Sequence, residues 1–327
     1  MRFILISALL LFTLSVNAQA PVYTNIDSSA TATIILEGYP DWIELEKNSV
    51  WISNGGLNAI QRINPKTNQV EAEVKINEPC AAFTIGFGSV WVMSCGDKAL
   101  KRISLDDNLV KASIPLTIAS DEGSIVADRN GIWILSSEEG VLTRIDPATN
   151  EVVAHIRVKP HSFAAMAGYG YIWITNTGAA DAKTKGSVQV IDPRTNKITM
   201  TIPVGIQPRF LAVGEKGIWV FNQTMGTVSR IDPETYKVVA TIDCGLAGTG
   251  GDISAGDGYV WVRGKTELMV VIDSKTNRPV ARFGPPAGSG AVRVGAGFVW
   301  ISAHDVNKVW KLEVKKMKEL KSKGIKK

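Results

Sequence analysis

The chain has 327 residues, 45% of them hydrophobic, and 36 Lys and Arg against 31 Asp and Glu give a formal net charge of +5. Such a length can bury one large core, and the absence of a long apolar run beyond residue 20 argues against a transmembrane helix there. Arg2 supplies one positive charge and residues 315–327 supply six, so the body between them carries −2 and shows no dominant basic patch for nucleic acid.

In chain order, Met1-Arg2 is a short basic start, and Phe3 to Leu14 is mostly apolar but too short to span a bilayer. Ala18-Gln19-Ala20 supplies small residues. This pattern predicts a secretory signal peptide over residues 1–18, with a periplasmic or secreted mature protein. Pro21 disfavours a cut just before it, which places cleavage after Ala18. Residues 19–30 read as an unstructured leader. Thr31 to Leu36 resembles the last strand of a four-strand unit whose first three strands are missing.

From there the chain repeats one pattern seven times. A short apolar strand ends in a Gly-containing turn, and a second strand carries a Trp. A third ends in Ile-Asp-Pro or a close variant, and a fourth closes the unit. The matching residues are Trp51, Trp91, Trp133, Trp173, Trp219, Trp261 and Trp300. A period near 40 with four strands per repeat predicts an all-β, seven-bladed β-propeller over residues 31–314. The seventh repeat lacks a fourth strand, and the stretch Thr31–Leu36 matches that deficit. The N-terminal strand is expected to complete the last blade and close the ring, removing exposed sheet edges. Residues 315–327 form a basic tail.

Asn64, Asp146, Asp192, Asp232 and Asp273 recur at one position, where the third strand turns into the fourth. Asx side chains open such turns by accepting backbone N–H bonds, so these residues read as turn formers rather than catalytic acids. The seven Trp, fixed at one strand position, read as packing between neighbouring blades.

The loops that vary lie between second and third strands and between blades. Both sets belong to one face of a propeller, where function is expected. Blade four carries six extra residues there, within 176–186. Candidate ligand-binding residues on this face are Asp41, Trp42, Arg209, Asn222, Asp252, Arg263 and His304. His161 with neighbouring Asp121 and Glu122 is a candidate catalytic group, since a carboxylate beside an imidazole can move a proton or hold a metal. No HExxH, GxSxG, P-loop or zinc-type Cys cluster is present.

The repeat Gly-x-Gly-x-Val-Trp-Val, followed by Arg-Ile-Asp-Pro-x-Thr-Asn-x-Val-Val-Ala-Thr-Ile, resembles YVTN-type propellers and the virginiamycin B lyase-like (streptogramin lyase-like) propellers. The resemblance covers residues 31–314. It implies a loop-face site where His and Glu residues, with a magnesium ion, open a cyclic ester by elimination. His161, in Lys159-Pro160-His161-Ser162-Phe163, is similar to the His-bearing loops of those lyases. Asn176 and Asn222 stand where one of their Glu residues follows the blade Trp. The sequence therefore supports two functions: an exported propeller that binds a small molecule or a protein on its loop face, or a lyase- or hydrolase-type enzyme acting there, with a divalent metal such as Mg. The expected protein is monomeric.

Of three cysteines, Cys80 and Cys95 flank the first turn of blade two, centred near Phe87-Gly88. Antiparallel residues about that centre face each other when their numbers sum to about 175. The pair is therefore expected to form a disulfide, which an exported protein would retain, leaving Cys244 free.

Overall fold

The computed structural model describes residues 23–119, 122, 125–178 and 183–317. The signal peptide over 1–18, Asp121, the middle of the blade-four loop and the tail from 318 lie outside the described residues.

Seven antiparallel four-stranded sheets stand in a ring. Blade one shows the pattern: Pro40–Glu46 innermost, then Ser49–Asn54, Ala59–Asn64 and, outermost, Gln69–Lys75. The second strand is buried at every position, whereas the outer strand is mostly exposed. A strand covered on both faces by neighbouring blades is apolar on both faces at its centre, here Val50-Trp51-Ile52, and the buried polar ends are hydrogen-bonded, Ser49 to the Trp51 indole and Asn54 to Gln61. All seven repeat tryptophans are at most 2% exposed.

The blades are latched by a second repeated residue. Arg102, paired with Trp91 across the sheet, lies over that ring at 4.9 Å. Its guanidinium then reaches the next blade, donating to the Pro147 carbonyl and to Asn150 Oδ1. Arg62, Arg144 and Arg230 repeat this contact toward Asn108, Asn196 and Asn277. Blade four has Val190 at the Arg position, and blade five has Tyr236 where its neighbours have Asn. There the Tyr236 ring stacks on Trp173, with centroids 5.9 Å apart. The turn acids behave as Asx-turn residues: Asp232 Oδ1 accepts from the backbone N–H groups of Glu234 and Thr235, and Asp273 Oδ1 from those of Lys275 and Thr276.

Ring closure comes from the N-terminal strand. Ala32–Ile35 pairs antiparallel with the third strand of blade seven, with Thr33 opposite Trp310. The preceding segment is not unstructured, contrary to the sequence expectation. Thr24 and Asn25 pair in parallel with Phe283 and Gly284 on the outer edge of blade six. Asn25 then caps a single helical turn, Ile26–Ser29. Ile26 fills the junction of blades six and seven at 1% exposure, and Asp27 accepts 2.7 Å from the Trp310 indole. One apolar side chain in a gap and one carboxylate on an indole are enough to order this stretch. The start of the tail is also packed: Lys316 Nζ donates to the Ser29 carbonyl and Met317 is buried.

Cys80 and Cys95 form a disulfide, with Cα atoms 5.5 Å apart. The simple register holds from Phe83↔Val92 to Gly86↔Ser89, then shifts by two to Pro79↔Ser94 through a bulge. The cysteines thus meet at the irregular end of the hairpin, where the Cys95 N–H donates to the Glu78 carbonyl. Cys244 is a buried free thiol. Among the described residues no helix is long and apolar enough to cross a membrane.

Candidate functional site

In each blade the residues nine and seven before the repeat Trp lie in or at the start of the inner strand and point the same way, because strand side chains alternate. These two positions face the axis of the ring. They hold Trp42 and Glu44 in blade one, Phe210 and Ala212 in blade five, Asp252 and Ser254 in blade six, and Ala291 and Arg293 in blade seven. Side chains from blades that are not neighbours in the ring can therefore meet at the axis.

At the variable-loop mouth of that axis lies a cavity of about 270 Å³. Blade one gives Tyr39, Asp41 and Trp42. Glu122 comes from blade three, Arg209 and Phe210 from blade five, Asp252 and Lys265 from blade six, and His304 from blade seven. The loop Thr249-Gly250-Gly251 forms one wall. Gly251 has φ +107°, and a Cβ there would lie 2.1 Å from the Arg263 carbonyl oxygen, so only glycine lets the wall approach this closely.

Six predicted site residues are brought together here: Asp41, Trp42, Glu122, Arg209, Asp252 and His304. Arg263 lies behind the wall, fully buried, with no direct carboxylate partner among the described residues. It donates instead to the carbonyls of Gly264, Leu268, Ser289 and Ser302. Burial pulls its pKa down to about 10, against the opposing pull of Asp41, Asp305 and Asp252. Below the mouth, Arg293 joins Asp252 and Glu44 in a buried ion network, and the Trp42 indole donates 2.9 Å to Glu44. Burial raises the Glu44 pKa, with Arg293 and the Trp42 bond working the other way.

Asp41 differs from Asp252. No ion pair or side-chain hydrogen bond holds its carboxyl among the described residues. Burial raises its pKa to about 6, partly offset by His304 and helped by Glu122 and Asp252. A carboxyl that titrates near neutrality in a cleft is a functional-site signal. His304 is held on two sides. Tyr39 stacks on it with centroids 4.1 Å apart, and its Nδ1 lies 2.6 Å from Asp305 Oδ1. That contact is out of line for a hydrogen bond, so it acts through charge when the ring is protonated.

The other two described candidates sit elsewhere. His161 lines a separate lateral cavity of about 240 Å³, with Glu138, Phe163, Thr177 and Arg209. It has φ +59° and its carbonyl accepts from the Thr177 N–H, the place that Tyr39, Glu78 and Gln207 hold in their blades. Of the two acids expected beside His161, Glu122 lines the central cavity and not the lateral one, and Arg209 lines both. Asn222 is fully buried, and its side chain is consumed by Gly205, Thr227 and Ser229. It braces the end of blade five and does not face the cavity. Asp121 lies outside the described residues.

No three His, Cys, Asp or Glu residues converge as a metal site among the described residues. Asp252 is already taken by Arg293, and Glu122 faces Arg209 at 3.7 Å. The donor set does not fit a magnesium ion.

Tyr39, Phe210, Glu44 and Arg293 were not among the sequence candidates. Their signal lay in the repeat: an aromatic or charge at a position nine or seven before the Trp faces the axis, and Tyr39 shares the offset of His161.

No family profile and no curated protein matches the chain in sequence. Solved structures do match it. A virginiamycin B lyase from Staphylococcus aureus superposes with a TM-score of 0.70 at 17% identity, over 86% of this chain and 98% of that one. The chain shares that propeller fold. A catalytically inactive form of the lyase with quinupristin gives a TM-score of 0.72, also at 17% identity over 86% and 98% of the two chains. The hydrazine synthase of Kuenenia stuttgartiensis gives 0.66 at 12% identity, over 91% and 98%. At such identities the likeness is one of fold, which hosts many functions.

Proposed function

We propose that the protein is an exported propeller that binds a small molecule at the loop-face mouth of its axis. The observation that carries this reading is the central cavity itself: an unpaired carboxyl near its neutral point, Asp41, set beside cations and aromatic rings gathered from four blades. A concave site with a few convergent polar groups over an apolar lining is the usual form of a ligand pocket. The Cys80–Cys95 disulfide supports export, because such bonds persist in oxidising compartments. The test is a fragment library screened by thermal shift against the parent, Asp41→Asn and Lys265→Gln. Fragments that raise the parent melting temperature and lose that effect in either variant support the reading. Hits that stabilise all three proteins equally would place binding elsewhere.

A second reading is a lyase-type enzyme at the same mouth. It is favoured by the Asp41–His304 juxtaposition, since elimination needs a base that can be neutral or charged near pH 7. Incubation with quinupristin and mass analysis for a ring-opened product tests it. Product that disappears in His304→Ala supports it, and no product from the parent removes this substrate.

A further inference from the structure

The central and lateral cavities share Arg209 and a continuous floor. Trp42, in the central cavity, packs on Phe210 with centroids 6.1 Å apart. Phe210 meets Phe163, a wall of the lateral cavity, edge-on at 5.4 Å. An aromatic row thus runs from blade one through blade five to blade four, under both openings. The Arg209 guanidinium lies over the Phe163 end of this row, 4.3 Å from that ring's centroid, and lines both cavities. Its one carboxylate contact among the described residues, Glu122 at 3.7 Å, is beyond hydrogen-bond distance. A planar cation on an aromatic face, ion-paired with Glu122 but hydrogen-bonded through its side chain to no group among the described residues, is arranged to receive an anion. Lys265, an exposed cation on the central rim, and buried Arg263 behind the wall add positive potential on the same side. Asp252 is neutralised by Arg293, which leaves Asp41 and Glu122 as the acids among the residues lining this mouth.

We propose that the two cavities are subsites of one groove that takes an extended aromatic anion, its charged group on Arg209 and its planar arms lying along the Trp42–Phe210–Phe163 row into each cavity. This rests on the reading of the central cavity as a ligand site and extends it to a second subsite and a ligand class. Two linked arms that both find a subsite bind far more tightly than one, because the second contact is intramolecular.

Two fluorescent probes measure this on the full mature protein. One is the aromatic sulfonate 8-anilinonaphthalene-1-sulfonate, the other its covalent dimer. The dimer should bind the parent at least about tenfold more tightly than the monomer. Arg209→Gln should weaken both probes roughly tenfold, the usual effect of losing a charge-assisted hydrogen bond. Glu138→Trp, at an exposed loop residue of the lateral cavity, should erase the dimer's advantage and leave the monomer bound. Lys265→Gln, exposed on the central rim, reports the central site alone. If the dimer has no advantage, or keeps it in Glu138→Trp while Lys265→Gln still weakens binding, the groove is wrong and the central site stands. If neither probe binds, or neither responds to Lys265→Gln, both readings fall. Circular dichroism of each variant verifies that it is folded, so a loss of binding is read as a loss of contact.

Discussion

Arg102 donates a 3.0 Å hydrogen bond to Asn150 Oδ1 in the next blade while lying over its own blade's Trp91 ring. The same guanidinium also donates to the Pro147 carbonyl, so one side chain fixes the spacing of two sheets. Asn150 sits at φ +62°, a conformation that Asn tolerates better than most residues. The turn shape therefore presents the acceptor, and the acceptor holds the arginine.

Arg102→Ala should lower stability by about 2 kcal/mol, since hydrogen bonds from charged donors contribute roughly 1.5–3 kcal/mol and the cation–π contact adds to them. Urea unfolding monitored by Trp fluorescence measures it. A loss under about 0.5 kcal/mol, the range of ordinary surface substitutions, would reduce the latch to a surface contact.

Ring closure gives a graded prediction. A chain beginning at Thr31 keeps the closing strand but loses Ile26 and the Asp27–Trp310 bond. Deleting a buried Ile removes about 2–5 kcal/mol even when only its side chain is cut back. A chain beginning at Glu37 also bares the edge of the Lys308–Glu313 strand. The first should melt several degrees below the parent, and the second should aggregate or lose cooperative unfolding. Equal melting temperatures for all three would mean that the N-terminal strand does not hold the ring.

The architecture was legible because the repeat states it seven times. Each Trp, each Ile at the third-strand end and each turn Asp marks the same place, so period and register follow from alignment of the chain with itself. What was not legible lies where the repeat is broken. Ile26 has no counterpart in any blade, so nothing marked its segment as packed. The bulge between Pro79 and Phe83 changes register without a periodic signal. Asn222 looked available because a polar residue ended a strand, yet a polar side chain can also be spent on the backbone, here on Gly205. The distinction between Asp41 and Asp252 depends on Arg293, whose reach across blades six and seven only the closed ring defines.

Asp41 should make stability depend on pH in a stated direction. Its folded-state pKa, about 6, lies above the ordinary 3.8, so folding disfavours the ionised form. The penalty is absent below about pH 4, grows between the two pKa values and is complete above about pH 6. Asp41→Asn removes it. The variant should gain on the order of 1–2 kcal/mol over the parent at pH 7.5, less than the full shift implies because Asp41 keeps some solvent contact. At pH 4 the two should be nearly equal. Urea unfolding at both pH values gives the comparison. A difference that does not change with pH would show that Asp41 ionises normally in the folded protein.

The last prediction concerns the thiols. Cys80 and Cys95 are joined across a separation of 15 residues, which in the chain-entropy view constrains the unfolded state by roughly 3 kcal/mol. Cys244 is buried, and burial pushes its thiol up to about 12, so at pH 8 it is protonated as well as inaccessible. The thiolate is the reactive form. A thiol-specific chromogenic reagent should therefore find almost nothing in the native protein at pH 8 and one thiol per chain after unfolding without reductant. Unfolding with reductant should raise the count to three, and the reduced protein should unfold at lower urea. Three thiols in the unreduced, unfolded protein would show that Cys80 and Cys95 are not bonded. A Cys244 that reacts quickly in the native state would mean that the packing around the blade-five exit opens far more readily than its burial implies.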